Sequence, residues 1–131
     1  MRILIAEDDF TSRVLIQELL KKYGSSHIAI NGQEAVEAVR TALEAKKPYD
    51  LICLDIMMPV MDGQTALRQI RELEEARGII STYGAKIVMV TALDDVKNSM
   101  AAFHNLCDGY LVKPINSKLL IAKLRELKLI K

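Results

Sequence analysis

The sequence is expected to fold as a doubly wound α/β domain: a five-stranded parallel sheet with helices on both faces. Two observations carry this. Five short apolar runs recur along the 131 residues, separated by longer stretches with helical spacing. Three of the runs are nearly unbroken Ile, Leu and Val, the pattern of strands buried on both faces. Five βα units in series give parallel strands, and right-handed crossovers place helices above and below one sheet.

The first run is RILIA (2–6), which stops at three acids, Glu7, Asp8 and Asp9. Asp9 stands just ahead of the first helix and reads as its N-cap. Residues 10–22 put Val14, Leu15, Leu19 and Leu20 on one side, and Gly24 closes that helix. The second run, SHIAI (26–30), ends at the turn signal Asn31-Gly32. Residues 33–45 place Ala35, Val36, Val39 and Leu43 at helical spacing. The third run, DLICLD (50–55), ends in Asp55 and is followed by IMMPVMDG, where Asp62 reads as a turn or cap residue before a helix over 63–76. The segment ARGIISTYGA (76–85) carries apolar residues where a loop is due; it reads as a helical extension or as an exposed partner surface. The fourth run, AKIVMV (85–90), leads to Thr91-Ala92 and a helix over 95–105. The fifth, DGYLV (108–112), leads to Lys113-Pro114 and a last helix over 117–129.

Length fits one domain over 1–131. Half the residues are apolar and 27% charged, enough for a core and unlike a disordered chain. A net charge of +1 gives no nucleic-acid or membrane-surface footprint. The apolar runs fall far short of the ~20 residues of a membrane span. No targeting segment is read at the start. Cys53 and Cys107 lack metal-ligand spacing and read as buried free thiols of a reducing compartment, so the expected location is cytoplasmic. His27 and His104 read as ordinary side chains, and the six methionines as core and loop filler.

In an open parallel sheet, ligands bind beyond the carboxyl ends of the strands. There the sequence places Glu7 and Asp8, Asp55, Thr91 and Lys113, drawn from four separate stretches. Two carboxylates ~4 Å apart repel by about 4 kcal/mol at an effective dielectric near 20. Glu7, Asp8 and Asp55 together therefore call for a counter-charge, and Mg²⁺ with oxygen ligands and a shared phosphate is the natural one. Lys113 suits a phosphoryl oxygen or Asp55 itself. The Thr91 hydroxyl can donate to another phosphoryl oxygen. Phosphoryl transfer needs positioning and charge neutralisation, which this set supplies, with Asp55 the candidate nucleophile.

These residues carry a family resemblance. The acidic pair in IAEDD, the stretch LDIMMPVMDG, the TA after the fourth strand and GYLVKP after the fifth resemble the receiver domain of two-component response regulators, in the family's order and over essentially the whole chain. The resemblance implies a CheY-like, flavodoxin-like (βα)₅ fold with strand order 2-1-3-4-5. It implies that Asp55 accepts a phosphoryl group from a histidine kinase or a histidine phosphotransfer protein. It implies that Asp8, Asp55 and the Met57 backbone carbonyl hold Mg²⁺, with Glu7 acting mainly through a metal-bound water. Thr91 and Lys113 would grip the phosphoryl oxygens, assisted by backbone N–H groups near Met57 and Ala92. Tyr110 matches the aromatic coupled to the threonine in the family's switch, and Lys113-Pro114 would be cis. The output surface would combine the fourth helix, fifth strand and fifth helix, read by an unidentified protein, by phosphorelay, or within a phosphorylation-dependent homodimer.

Met57 and Leu93 are apolar at positions that vary in the family and flank the path of attacking water. Met57 also stands where an aspartate-nucleophile phosphatase would place a second acid, and it cannot move a proton, which argues against a turnover enzyme. A phosphorylation-independent scaffold on the same fold is the remaining alternative, and the complete set of acids, hydroxyl and lysine argues against it. The last helical stretch runs nearly to Lys131, so the chain acts alone or is a piece of something larger.

Overall fold

The computed structural model describes residues 1–80, 83–92 and 106–131. Its strands are β1 (Arg2–Ala6), β2 (Ser25–Ala29), β3 (Leu51–Asp55), β4 (Lys86–Thr91) and β5 (Gly109–Val112). Its helices are α1 (Phe10–Leu20), α2 (Gly32–Glu44), α3 (Gly63–Ala76) and α4 (Ser117–Glu126). The helix expected over 95–105, Leu93 and His104 lie outside the described residues. All four strand pairings are parallel, in the order β2-β1-β3-β4-β5. The doubly wound fold and its strand order are therefore as expected.

The pleat divides the core in two. Leu4, Ile52, Leu54, Ile87 and Met89 face one way and meet α2 and α3. Ile3, Ile5, Cys53, Val88 and Val90 face the other way and meet Ile16 and Leu20 of α1 and Leu120 and Leu124 of α4. Each fully buried Ile or Leu contributes about 1.5–3 kcal/mol relative to exposure. Because β1, β3 and β4 are covered on both faces, they read as unbroken apolar runs.

Each of the described helices starts on an acidic or amide cap. Asp9, Asn31, Asp62 and Asn116 each accept a backbone N–H from the first turn that follows. Asp9 and Asp62 thus act as the caps expected of them. The turn residue Asn31 is also a cap.

Several expected boundaries move. The first helix ends at Leu20 rather than at 22, and the last at Glu126 rather than at 129. Lys128, with φ 62°, turns the chain out of the last helix. Gly24 does not close α1 through a left-handed turn. A Cβ there would lie 2.0 Å from the Met1 carbonyl oxygen, so the glycine serves the close passage of β2's entry beside the amino terminus. Within 76–85, α3 stops at Ala76 and is not extended; Ile80 and Tyr83 are exposed.

A buried polar knot secures the end of the sheet opposite the strand carboxyl ends. Arg71 bonds Glu74, Asp108 and the carbonyls of Ala85 and Leu106. The second Glu74 oxygen accepts the Ala85 N–H, and Asp108 accepts the Ile87 N–H. Gly84 passes so close to the Glu74 carboxylate that a Cβ would lie 2.5 Å from it.

Candidate functional site

The strand order reverses between β1 and β3, and a crevice opens beyond their carboxyl ends. Glu7 and Asp8 follow β1, and Asp55 ends β3 beside it. One carboxylate oxygen from each of the three lies within 4.8 Å of the others. Glu7 and Asp55 are buried, whereas Asp8 is exposed at the mouth. The three acids are thus brought together as the sequence suggested, and Asp9 is turned aside to cap α1.

Backbone geometry fixes the position of Asp55. The Ile56 N–H bonds the Val90 carbonyl, and the Met57 N–H reaches Asp55 Oδ1 at 3.2 Å. Behind Asp55, Gly63 packs on its carbonyl; a Cβ at Gly63 would lie 2.0 Å from that oxygen. The loop between them bends through Val60, which holds φ 67° while 82% exposed. Left-handed backbone is strained for a β-branched residue.

Lys113 directly follows β5, and its bond to Pro114 is cis, as expected. Its ammonium lies 2.7 Å from Glu7 Oε1 and 3.3 Å from Asp55 Oδ2. The ammonium is the cation paired with buried Glu7 Oε1, and among the described residues no other donor reaches that oxygen. One lysine is therefore shared by Glu7 and Asp55. Burial first, and then Glu7 beside it, push the Asp55 carboxyl from 3.8 up to about 8, against the opposing pull of Lys113. Burial alone would lower Lys113, but Glu7 and Asp55 outweigh it and hold its pKa above the usual value.

Thr91 ends β4 next to this crevice and is buried; its hydroxyl donates to the Ala92 carbonyl at 3.2 Å. Tyr110, on the edge strand β5, is 43% exposed. Among the described residues, neither side chain is hydrogen-bonded to the acids. Sequence reasoning missed Arg13, whose guanidinium donates to the Glu7 carbonyl at 3.2 Å. Its place one turn into the helix that starts at Phe10, close after the acids, was the available signal.

Three carboxylate oxygens within 4.8 Å of one another, with a single lysine ammonium against two of the acids, fit a small, hard divalent cation such as Mg²⁺. Cys53 is buried as a free thiol, its pKa pushed to about 12 by burial, and Cys107 is free and half-buried. Both lie outside the acidic cluster.

Comparison with known proteins agrees with this geometry. The family model for the response regulator receiver domain matches residues 3–125. The sensor histidine kinase GacS of Pseudomonas protegens is 34% identical over 120 residues, which cover 89% of this chain and 12% of that kinase. The solved receiver domain of the histidine kinase CKI1 from Arabidopsis thaliana superposes with TM-score 0.84 at 29% identity, over 97% of this chain and 89% of that one. The receiver domain of Saccharomyces cerevisiae Ssk1, solved with the histidine phosphotransfer protein Ypd1, gives TM-score 0.79 at 31% identity, over 97% and 88%. The chain belongs to the response regulator receiver domain family. It spans half or less of the first curated relatives it matches. Among the described residues, no helix is long and apolar enough to cross a membrane.

Proposed function

We propose that this receiver domain is a phosphorylation switch whose acceptor is Asp55. The observation that carries the reading is the buried Asp55 carboxylate at a strand end, gathered with Glu7 and Asp8 and faced by Lys113. The donor is a phosphohistidine on a histidine kinase or a phosphotransfer protein, the kind of protein on which the Ssk1 receiver was solved. A carboxylate oxygen of Asp55 attacks phosphorus, the P–N bond breaks, and the imidazole leaves as the nitrogen regains its proton. Asp8, Asp55 and the Met57 backbone carbonyl are the proposed ligands of Mg²⁺, with Glu7 acting through bound water. When bound, Mg²⁺ neutralises acid and phosphoryl charge together.

Lys113 and the Thr91 hydroxyl hold phosphoryl oxygens, assisted by the N–H groups of Met57 and Ala92. For that, Thr91 must give up its bond to the Ala92 carbonyl and turn toward Asp55. The turn makes room for Tyr110 to move inward, and partners read the changed surface around β5 and α4. Water attack on phosphorus later restores the carboxylate, so the chain catalyses only its own transfer and release. Cytoplasmic residence follows from a donor of this kind.

Incubation with acetyl phosphate and Mg²⁺, followed by intact-mass and peptide mass spectrometry, tests the assignment. The expected result is one phosphoryl adduct on Asp55, which does not form when EDTA replaces Mg²⁺. Equal labelling of Asp55→Asn would overturn it.

A further inference from the structure

The near-neutral total charge hides an uneven surface. α2 carries Glu34, Glu37 and Glu44 against Arg40. On the other face of the sheet, α1 carries Arg13 and Glu18 and is followed by Lys21 and Lys22, and α4 carries Lys118, Lys123 and Arg125 against Glu126. Between α1 and α4 runs a groove of about 350 Å³, lined by Leu19, Lys22, Ser117, Lys118, Ile121 and Arg125. Its two apolar residues are partly exposed and its three cations exposed. Among the described residues, no carboxylate pairs with Lys22, Lys118 or Arg125. Lys22 lies over the Tyr23 ring, and Arg125 bonds only the Lys131 carbonyl.

We propose that this α1–α4 groove docks an amphipathic helix of a partner protein, with an apolar stripe seated on Leu19 and Ile121 and flanking Asp or Glu side chains meeting Lys22, Lys118 and Arg125. Ser117 to Arg125 spans about 12 Å of α4, room for two turns of a docked helix. Three cations left without acids around an apolar floor are complementary to that occupant in both charge and polarity. A bilayer is a poorer fit, because a concave groove has no ridge to insert. Nucleic acid is poorer too, because the lining has no aromatic ring on which a base could stack. The groove needs neither Asp55 nor a bound cation, so it goes beyond the phosphorylation reading and stands apart from it.

The test uses the full chain without Mg²⁺ or phosphodonor, so its outcome does not depend on Asp55. The probes are two labelled helical peptides of about 18 residues. Both carry a leucine stripe; one is flanked by Glu and the other by Lys. Fluorescence anisotropy and amide chemical-shift mapping read binding. The Glu-flanked peptide should bind and shift amides along α1 and α4. Lys118→Glu should weaken it roughly tenfold or more and let the Lys-flanked peptide bind instead. Lys118→Gln, which only removes the charge, should fall between. The proposal is overturned if the Glu-flanked peptide does not bind, if both peptides bind alike, or if the shifts map elsewhere. It is equally overturned if phosphatidylserine vesicles or a DNA duplex occupy the groove more tightly.

Discussion

Asp55 is a buried carboxyl whose proton is hard to remove. Its folded pKa, about 8, lies above the unfolded 3.8, so between those values the folded chain keeps a proton that the unfolded chain releases. The contribution to stability is complete below about pH 4 and is lost as pH rises toward 8. Without divalent cations, urea midpoints should therefore fall across this window, and Mg²⁺ should flatten the fall. Asp55→Asn removes the repulsion from Glu7 and should unfold at higher urea than wild type in EDTA, by roughly 1 kcal/mol or more, with no response to Mg²⁺. Lys113→Met acts in the opposite sense. It leaves the buried Glu7 carboxylate facing Asp55 without a cation, and should cost about 1–3 kcal/mol in EDTA. A Lys113→Met chain as stable as wild type would show that the ion pair carries nothing.

The element that matters most to the site is the turn from β3 into α3. It packs Gly63 onto the Asp55 carbonyl, bonds the Gly63 N–H to Ile56, and places Asp62 as the helix cap. Gly63→Ala drives a methyl group against backbone that has no room to yield. It should cost several kcal/mol, in the way of other overpacked sites, and slow acetyl phosphate labelling because Asp55 is displaced. Val60 tests the same turn in the other direction. Its left-handed backbone is exposed and carries no contact that the site needs. Val60→Asn should therefore raise stability by about 0.5–1 kcal/mol, measured by urea unfolding, with labelling unchanged. This turn also marks where sequence reading runs out. IMMPVMDG announces a loop between a strand and a helix, and Asp62 a cap. That glycine is required by a contact with the Asp55 carbonyl, eight positions earlier, depends on how the loop folds back, and pattern alone does not carry that.

Across the whole molecule, period and strand-end chemistry made the sheet, its parallel sense and the acidic cluster legible. Unbroken runs such as LICL can only be central strands, and the acids at their ends can only meet at one edge. The strand order was not legible from hydropathy and came with the family motifs. Least legible was the opposite end of the sheet, because Arg71, Glu74 and Asp108 look like ordinary surface charges in sequence. Arg71 and Glu74 are three apart on a helix, which suggests an exposed pair, yet both are buried and tie α3 to the entries of β4 and β5. The 76–85 segment looked anomalous for the same reason: Ala85 is held by the Glu74 carboxylate and the Arg71 guanidinium rather than by a longer helix. Removing one member strands the others. Arg71→Met should leave Glu74 buried and unpaired and cost about 3–5 kcal/mol. Glu74→Gln keeps an acceptor for Ala85 and removes the stranded charge, so the double variant Arg71→Met/Glu74→Gln should recover part of that loss. A double-mutant cycle by urea unfolding measures the coupling, and additive losses would mean that the knot is a set of independent contacts rather than one unit. Because the knot lies at the far end of the sheet from Asp55, acetyl phosphate labelling of the folded double variant should match wild type.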